Sequence, residues 1–218
     1  AEIKDAGVRH LTSLARLEDL VLENTDITNA SLAELAKITT LETLNLRRST
    51  FLTDEGLAHL RTLPKLQSLS LLYNNFSDEG VAQLKDLTTL KMLDLRGCVQ
   101  TGDAGLEKLQ GLVNLKALKL RSPYITDSGL ESLKKLPKRK SLLIEDTSQV
   151  TDAGLQVLAG MRGLEELELF RCASISDEGV ANLKGLTDLR RLKLRDNAIS
   201  GSGLAQLQGL AKLEHLDL

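Results

Sequence analysis

The sequence predicts an α/β solenoid, a curved right-handed horseshoe with a concave parallel β-sheet of about nine short strands and short helices on its convex side. Three observations predict it. An LxxLxL segment recurs with its first position at Leu17, Leu41, Leu66, Leu90, Leu115, Arg139, Leu164, Leu189 and Leu213, always 24 or 25 residues apart, and a fixed period in this range marks stacked supersecondary units. The one-residue variation falls at a constant place. Ile27, Phe76, Ile125 and Ile199 come ten residues after the first position, whereas Leu52, Thr101, Val150 and Ile175 come eleven after. An extra residue is harmless in a turn but would flip side chains to the wrong face within a strand. Finally, hydrophobic residues make up 42% of the chain but aromatics only 2%, with no Trp, so the core must be aliphatic and mostly Leu.

Each repeat reads as the same series of elements. LxxLxL, as in LEDLVL or LKALKL, alternates over too short a run for a helix and predicts a strand with Leu inward. A column of small residues follows, Thr25, Ser49, Asn74, Cys98, Pro123, Thr147, Cys172 and Asn197, suited to satisfying backbone amides where the chain turns. An apolar residue then plugs the core. In the TDxG step, Asp5, Asp54, Asp78, Asp103, Asp127, Asp152 and Asp177 stand at a helix N-terminus, where a carboxylate caps amides and complements the dipole. Leu57, Leu60 and Leu63 of DEGLAHLRTL give the short helix one buried stripe. Residues 1–218 form one repeat domain with partial repeats at both ends. The chain starts mid-repeat at Ala1 and stops after the strand half LEHLDL; such uncapped ends can self-associate.

VTDAGLQVLAGMRGLEELELFRC and ISDEGVANLKGLTDLRRLKLRDN resemble the TDAGL-type arrays of planctomycete and related bacteria, so the chain is similar to leucine-rich repeat proteins over essentially its whole length. It is also similar to the cysteine-containing repeats of F-box ubiquitin-ligase subunits. The resemblance implies a curved solenoid, protein recognition, and no catalytic residue. Asn29 and Gly201 depart from the pattern at the Asp, Thr101 in the Ile column, and Arg139 in the first Leu column.

Little points to chemistry. The Asp column could be read as a calcium ladder, but it lacks the clustered carbonyl and carboxylate ligands of a calcium loop. Capping explains it better. His10 and His59 share a variable, mostly polar repeat position equivalent to Glu34, Gln83 and Lys108, which places them on the convex surface. Cys98 and Cys172 lie three coils apart in one column, about 14 Å at strand spacing, too far for a disulfide. They are expected as buried thiols, which fits a reducing compartment. There is no phosphate-binding Gly-rich loop, HExxH, GxSxG or CxxC. The expectation is a non-enzyme with no cofactor and no metal. A net charge of −2 gives no global attraction to nucleic acid or an anionic surface, and no apolar run approaches the roughly 18 residues of a membrane helix. A soluble chain follows, with the cytoplasm favoured.

The inward residues are fixed by the fold, so specificity must lie at the strands' outward positions. Most are small or charged. The exceptions are Leu72 and Tyr73 after the third strand, Met92 on the fourth, Leu143 within the sixth and Phe170 after the seventh. Arg47, Arg96, Arg121 and Arg195 share the column of Leu72 and Phe170, and Arg48 and Arg171 occupy the next. Leu72 and Phe170 are four coils apart, about 19 Å, so they read as two anchors. Basic charge dominates coils two to five, acidic charge coils six and seven, and basic charge returns in coil eight. A nucleic acid prefers an unbroken basic track, so this alternation with apolar anchors predicts a protein partner on the concave face. The alternative is the substrate-recognition segment of a larger enzyme, such as a ubiquitin ligase or a bacterial effector.

Overall fold

A computed structural model describes residues 3–218; Ala1, where the partial first repeat begins, lies outside them. The strands are β1 (Asp19–Val21), β2 (Thr43–Asn45), β3 (Ser68–Ser70), β4 (Met92–Asp94), β5 (Ala117–Arg121), β6 (Ser141–Glu145), β7 (Glu166–Phe170), β8 (Arg191–Lys193) and β9 (His215–Asp217). They pair in sequence order as one parallel sheet. The register is constant: Leu20, Leu44, Leu69, Leu93, Leu118, Leu142, Leu167, Leu192 and Leu216 stand side by side. The inward leucines from Leu41 to Leu194 are buried, as are Ile27, Phe76 and Ile175 of the plugging column. On the opposite layer lie the helices α1 (Asp5–Val8), α2 (Asn29–Leu35), α3 (Asp54–Leu57), α4 (Asp78–Ala82), α5 (Asp103–Lys108), α6 (Asp127–Leu133), α7 (Asp152–Ala159), α8 (Asp177–Asn182) and α9 (Gly201–Ala205). Five of them run on into a 3₁₀ turn. Thr101 is buried in the Ile column because its hydroxyl donates to the Phe76 carbonyl at 3.1 Å.

The turn after each strand has its own rule. Asn24, Arg48, Tyr73, Gly97, Asp146, Arg171 and Asp196 all adopt positive φ there, which swings the chain back toward the core. The small residues that follow act mainly as donors to carbonyls rather than as acceptors for amides. Ser49 Oγ reaches Leu22 O at 3.0 Å, Asn74 Nδ2 reaches Leu46 O at 2.9 Å, and Asn197 Nδ2 reaches Leu169 O at 2.8 Å. Cys98 and Cys172 sit in this column as buried free thiols; burial pushes the Cys98 pKa up to about 12. The fifth turn breaks the rule. Pro123 is exposed and Ser122 takes the buried place, donating to Val99 O at 3.1 Å. A residue before proline is pushed toward extended backbone, so Ser122 lacks the left-handed turn of its equivalents.

The Asp column caps the neighbouring coil's helix, not its own. Each helix is capped locally by the preceding Ser or Thr where there is a side-chain cap at all, as with Thr126 accepting from Ser128 N at 3.1 Å. The Asp opening a helix reaches forward one coil. Asp103 accepts from Thr126 N at 2.8 Å and Thr126 Oγ1 at 2.6 Å; Asp127 does the same to Thr151, and Asp152 to Ser176. Asn29 replaces Asp without loss, accepting from Thr53 N and donating to Thr53 Oγ1. The Gly of TDxG leaves room for this carboxylate: a Cβ on Gly129 would come within 3.1 Å of Asp103 Cγ.

At the last such joint Asp177 accepts from Ser200 and Ser202, and these hydroxyls lower its pKa to about 2. A depressed carboxylate pKa stabilises the fold above its unfolded value near 3.8 and loses that contribution as pH falls toward 2. Acid titration should therefore loosen the joint between α8 and α9 from about pH 4 downward. The Ser200 amide resonance, followed by NMR, is expected to shift there; an unchanged resonance down to pH 2 would refute the assignment.

Candidate functional site

Parallel alternation sends the second, fourth and sixth residues after the first repeat position to the concave side. Leu72, Met92 and Phe170 are half-buried there, and Tyr73 is exposed. Leu143 is a correction: it lies in the outward column between Lys119 and Glu168, but it is only 9% exposed. The longer side chains beside it cover it, and it offers a partner little surface.

The arginines are largely engaged with neighbours. Arg47 pairs with Glu23 at 3.7 Å. Arg96 places Nε and Nη2 on the nearly buried Asp94 at 3.0 and 2.8 Å, and Nη1 on Glu145 two coils away at 3.3 Å. Hydrogen bonding to Asp94 raises the Arg96 pKa further. Arg195 approaches Asp217 at 3.8 Å. Among the described residues, Arg48, Lys116 and Lys119 make no ion pair.

The two aromatic anchors are joined. Arg121 donates to the Tyr73 hydroxyl at 3.1 Å and pairs through Nε with Asp146 at 2.6 Å. The other oxygen of Asp146 holds Arg171 at 2.7 Å, and Arg171 lies over the Phe170 ring, 4.4 Å from its centroid. Arg47, Arg48 and Arg121 surround the Tyr73 ring at 5.7, 5.2 and 5.7 Å, within cation–π range. One polar relay therefore runs from coil three to coil seven. Asp146 is its centre, and sequence reasoning counted it only as one acid among several. The available signal was its place in the left-handed turn column, between two arginine-bearing coils. Beyond the relay a 170 Å³ recess opens between Glu145, Glu168, Phe170, Lys193 and Arg195.

No group of three or more His, Cys, Asp or Glu among the described residues is arranged to hold a metal ion. His10, His59 and His215 are exposed and lie on different coils. No helix among the described residues is long and apolar enough to cross a membrane.

A family model described as "Leucine Rich repeat" matches residues 37–60, 62–84, 162–184 and 185–207. A search of curated protein sequences finds no match. Among solved structures, the chain is similar to internalin C2 from Listeria monocytogenes with a TM-score of 0.72 and 27% identity, covering 99% of this chain and 84% of that one. It is also similar in fold to TLR13, solved in complex with ssRNA13, with a TM-score of 0.63 and 22% identity over 99% of this chain and 30% of that one.

Proposed function

We propose that this leucine-rich repeat solenoid is a single, non-enzymatic recognition domain that holds a protein partner against its concave face, along the strip from Tyr73 through Arg121, Asp146 and Arg171 to Phe170. One observation carries the reading. The turn column demands positive φ, which Gly, Asn and Asp adopt most readily, and four of its members are Asn24, Gly97, Asp146 and Asp196. The other three, Arg48, Tyr73 and Arg171, hold large side chains in that unfavourable conformation, beside the sheet and partly in solvent. Folding alone would be served better by smaller residues, so these are retained for what they touch. Aromatic and arginine side chains are the commonest interface hot spots.

The fold neighbour solved with ssRNA13 makes nucleic acid the natural comparison. Arg96, Arg121 and Arg171 already face carboxylates within the chain, and a phosphate backbone would have to displace them. A protein surface can extend the same alternation.

Tyr73→Ala and Phe170→Ala are each expected to weaken partner binding by about tenfold or more while leaving the melting temperature almost unchanged. Affinity capture with the wild-type chain and the double variant, each with and without nuclease, tests this. A protein retained only by wild type, nuclease-resistant and confirmed by titration of the purified pair, is the expected result. Equal retention by the variant, or loss of the partner on nuclease treatment, would overturn it.

A further inference from the structure

The chain has three Phe and two Tyr, and its aliphatic core uses only Phe76 as a fully buried aromatic. Tyr73 is 37% exposed, Phe51 59% and Tyr124 65%. All three, with the exposed Val99, lie on the loops that leave the strands of coils two to five, along one edge of the sheet. Each of four consecutive coils thus sends one large apolar side chain into solvent at that edge. Scattered exposed apolar residues need no explanation, but one on each of four consecutive coils, all in the strand-exit loops, does.

Coil four is altered at two columns beneath this row. Where most turns carry a side chain, it has Gly97 with φ of 77°, and a Cβ there would lie 3.1 Å from Tyr73 Cε1 and 3.2 Å from Tyr73 Cα. Where neighbouring coils have a hydroxyl residue before the helix, Thr53, Ser77 and Thr126, the last two capping it, it has Gly102, and a Cβ there would lie 3.1 Å from Tyr124 Cβ and 3.0 Å from Tyr124 O. The second replacement removes the hydroxyl cap of α5, which has no side-chain cap. Asp78 has to make do with two backbone amides, those of Gly102 and Gly105. The second departure weakens the repeat, and both leave room for an exposed tyrosine.

A shallow hollow in the strand-exit loops beside this edge is lined by Asn24, Thr25, Asp26, Arg48, Thr50 and Tyr73. Arg48, at its rim, makes no ion pair among the described residues, and Lys116 and Lys119 are equally uncompensated on the floor of coil five. Glu55 and Glu79 hold the opposite, helix-facing border as carboxylates, their pKa values lowered by the Thr53 and Ser77 hydroxyls. Arg48 therefore carries unpaired positive charge on the sheet side of the row, with Asp26 beside it in the same hollow, and Glu55 and Glu79 carry negative charge on the helix side.

We infer that Phe51, Tyr73, Val99 and Tyr124 form a ledge that receives an apolar segment of the protein partner, whose flanking carboxylates point toward the sheet and meet Arg48. The inference rests on the concave-face reading and extends it from the floor to the edge loops. A segment with basic residues on the sheet side would face Arg48 and Lys119 and be repelled.

Random peptides displayed on phage, selected on the immobilised full-length chain, test this. Enriched peptides are expected to place Asp or Glu beside Phe, Trp or Leu. A synthetic copy of the enriched peptide should bind the Phe51→Ser/Tyr124→Ser double variant and Arg48→Glu about tenfold more weakly than wild type, with affinity falling as salt rises. Melting curves should coincide, because the replaced side chains are exposed. Failure to enrich, enrichment of peptides without carboxylates, or full affinity for the double variant overturns the ledge. Phe170→Ala separates the two readings. Peptides sensitive to it but not to the ledge variants leave the concave floor standing and remove the ledge; peptides insensitive to all of them remove both.

Discussion

Gly129→Ala is expected to destabilise the chain by about 2–3 kcal/mol, far more than the helix propensity of Ala over Gly would return. The added methyl would lie 3.1 Å from both Asp103 Cγ and Leu106 Cδ1, and closer still to Asp103 Oδ1. To make room, the carboxylate must leave Thr126 N and Thr126 Oγ1, which it now holds at 2.8 and 2.6 Å. Asp103→Ala removes the same two bonds directly and should cost about 1–3 kcal/mol. The two effects share one mechanism, so the double variant should lose clearly less than their sum. Urea unfolding of the four proteins measures this. Strict additivity would show that the glycine and the aspartate act independently and that no joint between coils depends on both.

Arg139→Leu should raise stability by about 1–2 kcal/mol, seen as a melting temperature several degrees higher for a chain of this length. Arg139 stands in a column where Leu41, Leu66, Leu90, Leu115, Leu164 and Leu189 are all buried. Its guanidinium donates to the carbonyl of Leu133, the last residue of α6, and to that of Leu136 beyond it, while Nε has no partner among the described residues. Burial pulls its pKa down, with no carboxylate opposing the shift. The carbonyl bonds offset part of the cost of a desolvated charge. Leu would lose them but gain full apolar contact with both neighbouring coils. A lower melting temperature would mean that capping α6 outweighs that contact, and that coil six uses Arg139 as a structural clamp.

The nine strands, their inward leucines and the fixed turn position of the extra residue were legible because a repeat states each requirement many times. What the sequence concealed involves pairs separated by a whole period. Asp103 was read as capping its own helix because its nearest amides in the chain are there; its true partner, Thr126, is 23 residues on. Pro123 was placed in the small-residue column by counting, whereas the conformational limit it imposes on Ser122 shifts that role back one residue. Alternation puts Arg47, Arg96, Arg121, Phe170 and Arg195 in one outward column, with Arg48, Tyr73 and Arg171 in the turn that follows. It could not show that Leu143 would be covered by its neighbours, or that Asp146 would tie Arg121 to Arg171. Phe51 stands next to the inward column in the sequence. It is exposed, because Leu52 rather than Phe51 fills the core.

The forward reach of each aspartate makes the joints of this array directional. A coil offers a carboxylate to the coil after it and a hydroxyl to the coil before it, so every internal boundary that carries the Asp and the Ser or Thr has the same complementary faces. A coil copied or removed as one whole period leaves a matched boundary behind. An array joined in this way can lengthen or shorten by single units without redesigning its interior, which leaves the outward residues free to diverge.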